Sequence, residues 1–308
     1  MNWSFLREAG CEANPGALLA EYTTFRIGGP CPCVVTCETP LQLSVAVSAL
    51  ADANLGFVLI GGGSNLLVSD AGIEQVVVRY CAEQLGVRRD GNTLDVDAAM
   101  GLDDLAAYTV GEGLAGLVYA SGIPGTVGGA VVGNAGAFGE QIGDRTESVV
   151  LMDHRGELRE EKADALEFAY RRSRLQDGGD IVVSVRLRVE PGDRAVLARR
   201  REEILDLRRQ KHPDWRTLPT AGSFFKNIEP TSAAERRQAA GWFLEQAGAK
   251  AMRIGKARVF EKHANIIVAD PGCSARDVLE LSRWMADAVK QRFGLVLSRE
   301  VRLLGKFL

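Results

Sequence analysis

The sequence predicts an α+β protein with more than one packed lobe, and three observations support this class. Its 308 residues exceed the size at which one hydrophobic core usually keeps growing, so two or three lobes are expected. Short apolar runs bounded by glycine or charge indicate strands, and segments with helical periodicity lie between them. Two glycine-crowded segments, residues 61–68 and 120–129, interrupt this pattern. We therefore expect helices and strands arranged around two unusual loops.

The first part of the chain predicts strand, helix, strand, loop and strand in that order. Residues 40–50 have helical periodicity after a proline, which is favoured at the first helical position. Residues 57–60 and 75–78 are apolar runs typical of buried strands, and the first glycine segment lies between them. Residues 93–98 alternate like a half-exposed strand, and residues 102–111 predict a helix that ends at glycine.

The remaining elements divide the chain into regions. Residues 194–211 are densely charged, but their arginines alternate with acids, which favours a solvated linking helix over a nucleic-acid surface. We predict an N-terminal segment (1–20), a domain with subdomains at about 21–80 and 81–193, and a C-terminal α+β domain (194–308). The other predicted elements are strands at 148–152, 181–189, 258–259, 265–268 and 295–303, and helices at 233–247 and 275–293.

Composition excludes several classes of partner. The formal net charge of −3 argues against a general nucleic-acid binder. No run approaches the roughly 20 apolar residues that span a bilayer, and the N-terminus lacks a secretory pattern, so we expect a cytoplasmic protein. Cys31-Pro32-Cys33 is too short for a C-x-x-C metal knuckle, and we predict no metal site. All six cysteines are expected to be reduced thiols: Cys11, Cys31, Cys33, Cys37, Cys81 and Cys273.

The two glycine segments predict loops that bind a diphosphate. Glycine permits positive φ and leaves no side chain in the way, so successive backbone N–H groups can converge on an anion. Neither loop has the P-loop pattern or the G-x-G-x-x-G order of common dinucleotide folds. The alternative interpretation is that both are tight turns between strands. The functional interpretation makes a bound dinucleotide the first expectation.

Seven motifs in order carry a resemblance over about 280 residues. They are the two glycine loops and residues 23–30 (TTFRIGGP), 133–137 (GNAGA), 170–173 (YRRS), 221–227 (AGSFFKN) and 261–265 (EKHAN). Together they resemble the UDP-N-acetylenolpyruvoylglucosamine reductase (MurB) family, bacterial flavoenzymes of peptidoglycan precursor synthesis.

The resemblance implies a fold and a reaction. The fold would be a two-subdomain FAD-binding fold of the vanillyl-alcohol-oxidase (PCMH) type, followed by a small α+β substrate-binding domain, with FAD between them. NADPH would reduce FAD and leave, and UDP-N-acetylglucosamine enolpyruvate would then be reduced to UDP-N-acetylmuramate. The implied partners are therefore small molecules, a sugar nucleotide and NADPH, with neither nucleic acid nor membrane, and the protein is expected to be a monomer.

Arg171, Ser223 and Glu300 match the family's catalytic positions. Hydride transfer to the enolpyruvyl methylene leaves enolate character beside the carboxylate, so the site needs a cation and a proton donor. Arg171 would bind the carboxylate, Ser223 would donate the proton, and Glu300 would stabilise the enol or tune the proton supply. Taken singly, each residue has a structural alternative. Arg171 could pair with a surface acid, Ser223 could cap a turn, and Glu300 could be an exposed residue of a terminal strand.

The resemblance also assigns the cofactor contacts. Residues of the first loop would supply donors to the FAD diphosphate, the second loop would form the opposite wall, and the GNAGA motif would lie near the flavin ring. The assigned residues are Gly61, Gly62, Gly63, Ser64, Asn65, Ser121, Ile123, Pro124, Gly125, Thr126, Gly128, Gly129, Asn134 and Gly136. We expect FAD to be non-covalent, because the cysteines and His154 lie outside the glycine loops.

Substrate contacts are assigned to Tyr170, Lys226, Asn227, Lys262 and His263. A lone histidine such as His263 is more often structural. Two residues depart from the family pattern: Lys256 stands where the family usually has glycine, and Phe260 stands where a small polar residue is common. They predict that the edge of the site that contacts the sugar nucleotide is altered. The chain also lacks the longer insertion whose tyrosine closes over the substrate in one subtype, so it resembles the shorter subtype.

Two alternatives belong to other classes of protein. A different FAD oxidoreductase of the same fold, such as an alcohol or hydroxy-acid oxidase, would share the glycine loops but would not need Ser223 or Arg171. A non-enzymatic flavin-binding or nucleotide-binding regulator would be expected to have lost the catalytic residues. All three are present here, which favours the reductase.

Overall fold

The computed structural model describes residues 3–8, 10–84, 86–230 and 237–307. The chain forms two compact units, each built from separated segments. The first unit comprises residues 1–17, 31–62 and 74–206, and the second comprises residues 18–30, 63–73 and 207–308. The predicted division into residues 1–20, 21–193 and 194–308 stays a prediction.

The described residues form both helices and strands. The α-helices are α1 (Ser4–Glu8), α2 (Pro40–Asp52), α3 (Leu102–Gly111), α4 (Val127–Gly133), α5 (Arg194–Lys211), α6 (Ala240–Gln246) and α7 (Ala275–Phe293). The strands are β1 (Glu12–Pro15), β2 (Cys33–Cys37), β3 (Phe57–Ile60), β4 (Leu66–Val68), β5 (Val76–Tyr80), β6 (Val87–Asp90), β7 (Thr93–Asp97), β8 (Leu114–Ala115), β9 (Gly136–Ala137), β10 (Glu140–Gln141), β11 (Thr146–Met152), β12 (Leu158–Lys162), β13 (Ile181–Arg188), β14 (Glu190–Pro191), β15 (Arg253–Ile254), β16 (Ala257–Phe260), β17 (His263–Ala269) and β18 (Arg302–Leu304). Among the residues described, no helix is both long and apolar enough to cross a membrane.

The first unit contains two main sheets around one core. Strands pair in the order β1-β2-β5-β3, where β5 is parallel to β2 and β3, while β12-β11-β13-β7-β6 is antiparallel throughout. Helix α2 begins at a capping box in which Thr39 and Gln42 satisfy each other's backbone N–H groups. Its buried face joins the same apolar core as both sheets. The sheets thereby fix the loops that follow β3 and α3.

The second unit packs α6 and α7 with the antiparallel sheet β15-β16-β17, and it includes the parallel pair β4 and β18. Residues 18–30 join it through glycine contacts: a Cβ on Gly29 would lie 2.1 Å from the Asp70 carbonyl oxygen. Gly29 also donates its N–H to the Ser69 carbonyl at 2.8 Å. The unit is therefore assembled from three stretches that are distant in sequence.

Most predicted elements are confirmed. The elements at residues 57–60, 102–111, 194–211 and 275–293 have the predicted bounds, and the linking helix α5 is largely exposed apart from Leu197 and Ile204. Capping explains α7, which begins after the Ser274–Asp277 capping box and ends at Gly294, whose φ is +71°.

Two predictions in the second unit need correction. The helix predicted at 233–247 begins only at Ala240, because Ile228 and Gln238 exchange backbone hydrogen bonds of 2.9 and 3.0 Å; residues 231–236 lie outside the described part. The strand predicted at 295–303 is regular only from Arg302, and the preceding residues run irregularly beside residues 224–226. In both places, tertiary pairing overrides the local pattern.

Candidate active site

The two glycine loops touch each other in the first unit. A Cβ on Gly61 would lie 2.4 Å from Thr126 Oγ1, and one on Gly62 would lie 3.1 Å from Gly125 Cα. The first distance is shorter than any real Cβ contact, so a side chain at Gly61 would force Thr126 to move. The sequence predicted the two loops separately, and the structure brings 61–62 against 125–126. A side chain at Gly61 would displace the Thr126 side chain, and one at Gly62 would press against the Gly125 backbone, so both positions favour glycine.

The second loop is braced from within. Thr126 caps α4 by accepting the Gly129 N–H at 3.2 Å, and Gly128 donates its N–H to the Ala98 carbonyl at 2.9 Å. The Ser121 hydroxyl donates to the Val118 carbonyl at 2.7 Å. The N–H groups of Gly128 and Gly129 are thus occupied within the protein. These two residues suit a rigid wall better than a set of anion donors. In the turn before them, Pro124 is exposed, and Ile123 and Gly125 are half-buried.

The first loop continues into the second unit at Gly63. This glycine has φ +61°, and a Cβ there would lie 2.0 Å from the Tyr22 carbonyl oxygen. Ser64 is half-buried, and Asn65 is exposed at the start of β4. Asn65 donates from Nδ2 to the Glu300 carbonyl at 3.2 Å and accepts the Arg302 N–H at 3.0 Å. A predicted cofactor residue is therefore tied to the backbone of a predicted catalytic one.

The GNAGA motif ends α4 with a buried asparagine. Asn134 caps the helix in the left-handed region, with φ 42° and ψ 59°, and it has no exposed surface. Its Nδ2 donates to the Ala169 carbonyl at 2.8 Å, and its Oδ1 accepts the Gly143 N–H at 3.0 Å. Gly136 lies in the β9–β10 hairpin, where a Cβ would lie 2.3 Å from the Glu140 carbonyl oxygen. Both polar atoms of the Asn134 amide are thus hydrogen-bonded to backbone groups.

Arg171 lies at the tip of a tight two-residue turn. Ala169 and Arg172 exchange backbone hydrogen bonds of 2.9 and 3.0 Å, which leaves Tyr170 and Arg171 at the corners. Arg171 has φ +52°, a region that non-glycine residues rarely adopt. Its guanidinium lies 5.5 Å from the Tyr170 ring centroid, within the range of a cation–π contact. Strain of this kind persists only where the surroundings hold it, and it concentrates at functional sites.

Ser223 lies in an extended segment of the second unit that starts at Gly222, whose φ is +74°. Ser223 bridges Ile266 of β17 and is half-buried, while the following Phe224 is fully buried. The buried Asn265 secures this segment: it accepts the Phe225 N–H at 3.0 Å and donates to the Phe225 carbonyl at 2.8 Å. The hydroxyl is therefore carried on a well-held backbone.

Glu300 runs alongside this serine segment. Its N–H donates to the Phe224 carbonyl at 2.8 Å, and the Lys226 N–H donates to the Ser298 carbonyl at 2.8 Å. The structure thus places Glu300 on the chain that pairs with residues 224–226. Two of the three predicted catalytic residues, Ser223 and Glu300, are neighbours in one unit, and Arg171 belongs to the other.

The predicted substrate residues of the second unit have varied surroundings. Lys226 is half-buried and Lys262 is exposed. Asn227 accepts the Ala240 N–H at 3.1 Å and so holds the start of α6. His263 accepts the Asn265 N–H at 3.3 Å, and burial lowers its pKa below the ordinary value. His263 therefore has a structural role in addition to any contact with substrate.

The two departures from the family differ in exposure. Lys256 is exposed in the β15–β16 turn, where its N–H donates to Asp277 Oδ2 at 3.2 Å. Phe260 is buried in a small apolar cluster with Ile266 and Val268. Phe260 thus contributes to packing behind the strand that Ser223 bridges.

Sequence reasoning missed three residues that support the site. Asn265 holds the serine segment, Gln176 donates to the Arg171 carbonyl, and Asp103 accepts the Gly122 N–H at 2.8 Å. Asn265 belongs to the EKHAN motif, which pointed to the segment but not to this role. Gln176 and Asp103 carry no sequence signal, because their partners are backbone atoms, which are alike at nearly every position. Among the described residues, no three His, Cys, Asp or Glu side chains are grouped to hold a metal.

The residues present fit a bound FAD. Gly61 lies so close to the Thr126 side chain, and Gly62 so close to the Gly125 backbone, that a Cβ at either position would be crowded. A glycine-lined surface of this kind lets an anionic diphosphate approach backbone dipoles directly.

Comparisons with known proteins agree with this arrangement. Residues 31–161 match the FAD binding domain family, and residues 212–304 match the UDP-N-acetylenolpyruvoylglucosamine reductase, C-terminal domain. The chain is 35% identical over 288 residues to the UDP-N-acetylenolpyruvoylglucosamine reductase of Alkaliphilus oremlandii, covering 94% of this chain and 92% of that one. It is 37% identical over 296 residues to the Gloeobacter violaceus enzyme of the same name, covering 96% and 97%.

A solved structure extends the likeness to the fold. The crystal structure of UDP-N-acetylenolpyruvylglucosamine reductase (MurB) from Thermus caldophilus matches with a TM-score of 0.77 and 32% identity, covering 96% of this chain and 99% of that one. The predicted fold class, an FAD-binding domain followed by a smaller α+β domain, is confirmed. Because identity above 30% extends over nearly the full length of these relatives, the chain belongs to the UDP-N-acetylenolpyruvoylglucosamine reductase family.

Proposed function

We propose that this protein uses NADPH to reduce the enolpyruvyl double bond of UDP-N-acetylglucosamine enolpyruvate, yielding UDP-N-acetylmuramate for peptidoglycan precursor synthesis. The observation that carries the proposal is family membership along nearly the whole chain, with an FAD-binding match in one region and a reductase-specific match in the other. The presence of Arg171, Ser223 and Glu300 supports it. The cytoplasmic location and the monomeric state remain predictions.

FAD, when bound, accepts a hydride from NADPH and delivers one to the substrate. Residues of the two glycine loops would hold its diphosphate, the first loop with donors and the second as a wall. Asn134 and Gly136 would lie near its ring. No side chain on these loops offers a covalent attachment point such as cysteine or histidine, so the cofactor is held non-covalently.

Arg171 would bind the substrate carboxylate. Its guanidinium presents a planar fork of donors that matches two carboxylate oxygens. Charge develops beside this carboxylate as the double bond is reduced, so the cation stabilises the transition state more than the ground state. The strained turn supports this role because it fixes the direction in which the side chain leaves the backbone.

Ser223 would then protonate the carbon next to the carboxylate. A free hydroxyl is a feeble acid, so the strongly basic enolate and the neighbouring groups must make the transfer possible. Glu300, on the chain that pairs with the serine segment, would stabilise the enol or tune this proton supply. Lys226 and Lys262 would add positive charge for the substrate diphosphate, while Tyr170, Asn227 and His263 would line the substrate.

Anaerobic stopped-flow absorbance at the flavin band tests the proposal. NADPH should bleach the purified yellow protein, and UDP-N-acetylglucosamine enolpyruvate should then restore its colour rapidly. Reoxidation by oxygen alone would contradict the reductase assignment and favour an oxidase of the same fold.

The Ser223→Ala variant separates the two half-reactions. It should keep NADPH-driven bleaching but lose about 10²- to 10⁴-fold in reoxidation by the sugar nucleotide, the range that a positioned proton donor contributes. Ser298→Ala, which changes an exposed serine of the same unit, is the matched control and should behave like the wild type. Wild-type reoxidation by Ser223→Ala would remove the serine from the mechanism.

A further inference from the structure

The turn that carries Arg171 is held at both of its ends by amide side chains. Asn134 Nδ2 donates to the Ala169 carbonyl at 2.8 Å, where the turn begins. Gln176 Nε2 donates to the carbonyl of Arg171 itself at 3.0 Å. Neither bond touches the guanidinium, so both act on the backbone that directs it.

Gln176 also ties this turn to helix α4. Its Nε2 donates a second hydrogen bond, to the Val132 carbonyl at 3.1 Å, and the buried Ser173 hydroxyl donates to the same carbonyl at 2.8 Å. The two Nε2 protons of Gln176 therefore serve two backbone carbonyls. A side chain without donors would leave both of these bonds unmade.

Helix α4 connects this anchor with the second glycine loop. The helix begins after Thr126, which caps it, and ends at Asn134. A helix rises about 1.5 Å per residue, so its seven residues, Val127–Gly133, set a fixed spacing of roughly 10 Å between the loop and the turn. Helix α4 thus has the second glycine loop, which is predicted to contact FAD, at its start. At its end it has Val132 and Asn134, which are hydrogen-bonded to Gln176 and to the Arg171 turn.

Left to itself, the turn would be expected to relax. Arg171 at φ +52° is unfavourable for a side chain with a Cβ, and such conformations persist only when the surroundings over-determine them. The hydrogen bonds from Asn134 and Gln176 provide that constraint. Their loss would allow the turn to adopt a commoner conformation and swing the guanidinium away.

We propose that Gln176, together with Asn134, is a positioning residue that holds the strained Arg171 turn in the orientation for gripping the carboxylate of the substrate. This inference rests on the proposed carboxylate-binding role of Arg171. Within the described residues, the hydrogen bonds of the Gln176 side chain go to two backbone carbonyls, so it takes no direct part in the chemistry.

The test compares Gln176→Met, which keeps the length of the side chain but removes its donors, with Gln42→Met as the control. Gln42 belongs to the α2 capping box in the same unit, so its replacement perturbs the fold without reaching the turn. Gln176→Met should keep NADPH-driven flavin bleaching and slow reoxidation by the enolpyruvyl substrate about 10- to 100-fold, since a 1 Å misplacement can cost that much. Gln42→Met should change neither rate.

Ligand binding provides a second readout. By calorimetry on the oxidised, FAD-loaded protein, Gln176→Met should bind UDP-N-acetylmuramate about tenfold more weakly than the wild type. It should bind UDP-N-acetylglucosamine, which lacks the carboxylate, as the wild type does. An equal loss for both ligands would show general damage to the site and overturn the proposal.

A double-mutant cycle with Arg171→Lys tests whether Gln176 acts through the Arg171 guanidinium. If Gln176 acts through the guanidinium, adding Gln176→Met to Arg171→Lys should slow reoxidation less than twofold further. The same fold loss in both backgrounds would refute the proposal, as would a folded Gln176→Met that reoxidises within twofold of the wild type. Should Gln176→Met fail to retain FAD, Gln176→Asn, which keeps the donors on a shorter side chain, should give an intermediate loss with the same ligand preference.

A wild-type protein that is not reoxidised by the enolpyruvyl substrate would instead refute the proposed function. The wild-type protein is therefore measured first, so that failure of the proposed function is distinguished from failure of the proposal for Gln176.

Discussion

Asn265→Ala should unfold the second unit more easily, because this side chain is the hydrogen-bond partner of a buried backbone. Asn265 is 2% exposed, and its amide forms both a donor and an acceptor bond with Phe225, which is 4% exposed. The neighbouring hydrogen bonds to residues 298–300 engage Phe224 and Lys226, so they do not replace the pair at Phe225.

The expected loss follows from the two groups left behind. Each buried polar group that loses its partner costs about 1–3 kcal/mol. Loss of the partners of both the Phe225 N–H and the Phe225 carbonyl should therefore lower the free energy of unfolding by about 2–6 kcal/mol. This is a large share of the roughly 5–15 kcal/mol that stabilises a typical domain.

Urea unfolding followed by tryptophan fluorescence measures this loss. Trp215, Trp242 and Trp284, three of the four tryptophans, belong to the second unit, so the signal reports mainly on it. Ser298→Ala, at an exposed position of the second unit, is the matched control and should change the free energy of unfolding by less than about 0.5 kcal/mol.

The Asn265→Ala variant should also slow the reaction with the sugar nucleotide. Because Ser223 lies two residues from Phe225, the loosened segment should also slow reoxidation by the sugar nucleotide while NADPH-driven bleaching continues. A loss in unfolding free energy below about 0.5 kcal/mol for Asn265→Ala would refute the argument that its amide supports this backbone.

Other predictions follow from separate features. Gly61→Ala should weaken FAD retention at least tenfold on gel filtration, because its Cβ would meet Thr126 at 2.4 Å; Gly56→Ala, which has open space around it, should retain FAD as the wild type does. Burial and the neighbouring Arg208 lower the pKa of His212 to about 4, below its ordinary 6.5, so the unfolded state binds more protons and stability should fall as pH drops from 6.5 towards 4. His212→Phe should flatten that dependence in thermal melts at several pH values, and an unchanged slope would contradict it. Acid precipitation should release the yellow chromophore into the supernatant, whereas colour retained on the pellet would indicate covalent flavin.

Local patterns determined most of the secondary structure. Helix α3 could be predicted from its periodicity and its glycine end, and α7 from its amphipathic pattern. These signals act over three or four residues, so the linear sequence contains them in full. Within the described residues, helix α6 begins later than expected and the strand expected at 295–303 is regular only at its end, because the backbone pairing of Ile228 with Gln238 and of Phe225 with Arg299 decided both.

The motifs likewise indicated the chemistry. Glycine crowding predicted a diphosphate site, and the order of seven motifs identified the family, whose membership the comparisons then established. Residue type alone justifies a guanidinium for a carboxylate and a hydroxyl for a proton. The individual roles of Arg171, Ser223 and Glu300 remain predictions.

By itself, the sequence determined the fold class, the family, the cofactor and the residue types that the reaction needs. Only the tertiary structure decided that Gly61 faces Thr126, that Asn265 secures the serine segment, and that Asn134 and Gln176 hold the Arg171 turn. The physical reason is that the contacts of Gly61, Asn265 and Asn134 join groups far apart along the chain, while Gln176, although only five residues from Arg171, reaches a backbone carbonyl. Backbone N–H and carbonyl groups are the same at nearly every position, so no pattern of residue types can reveal which of them a distant side chain will reach.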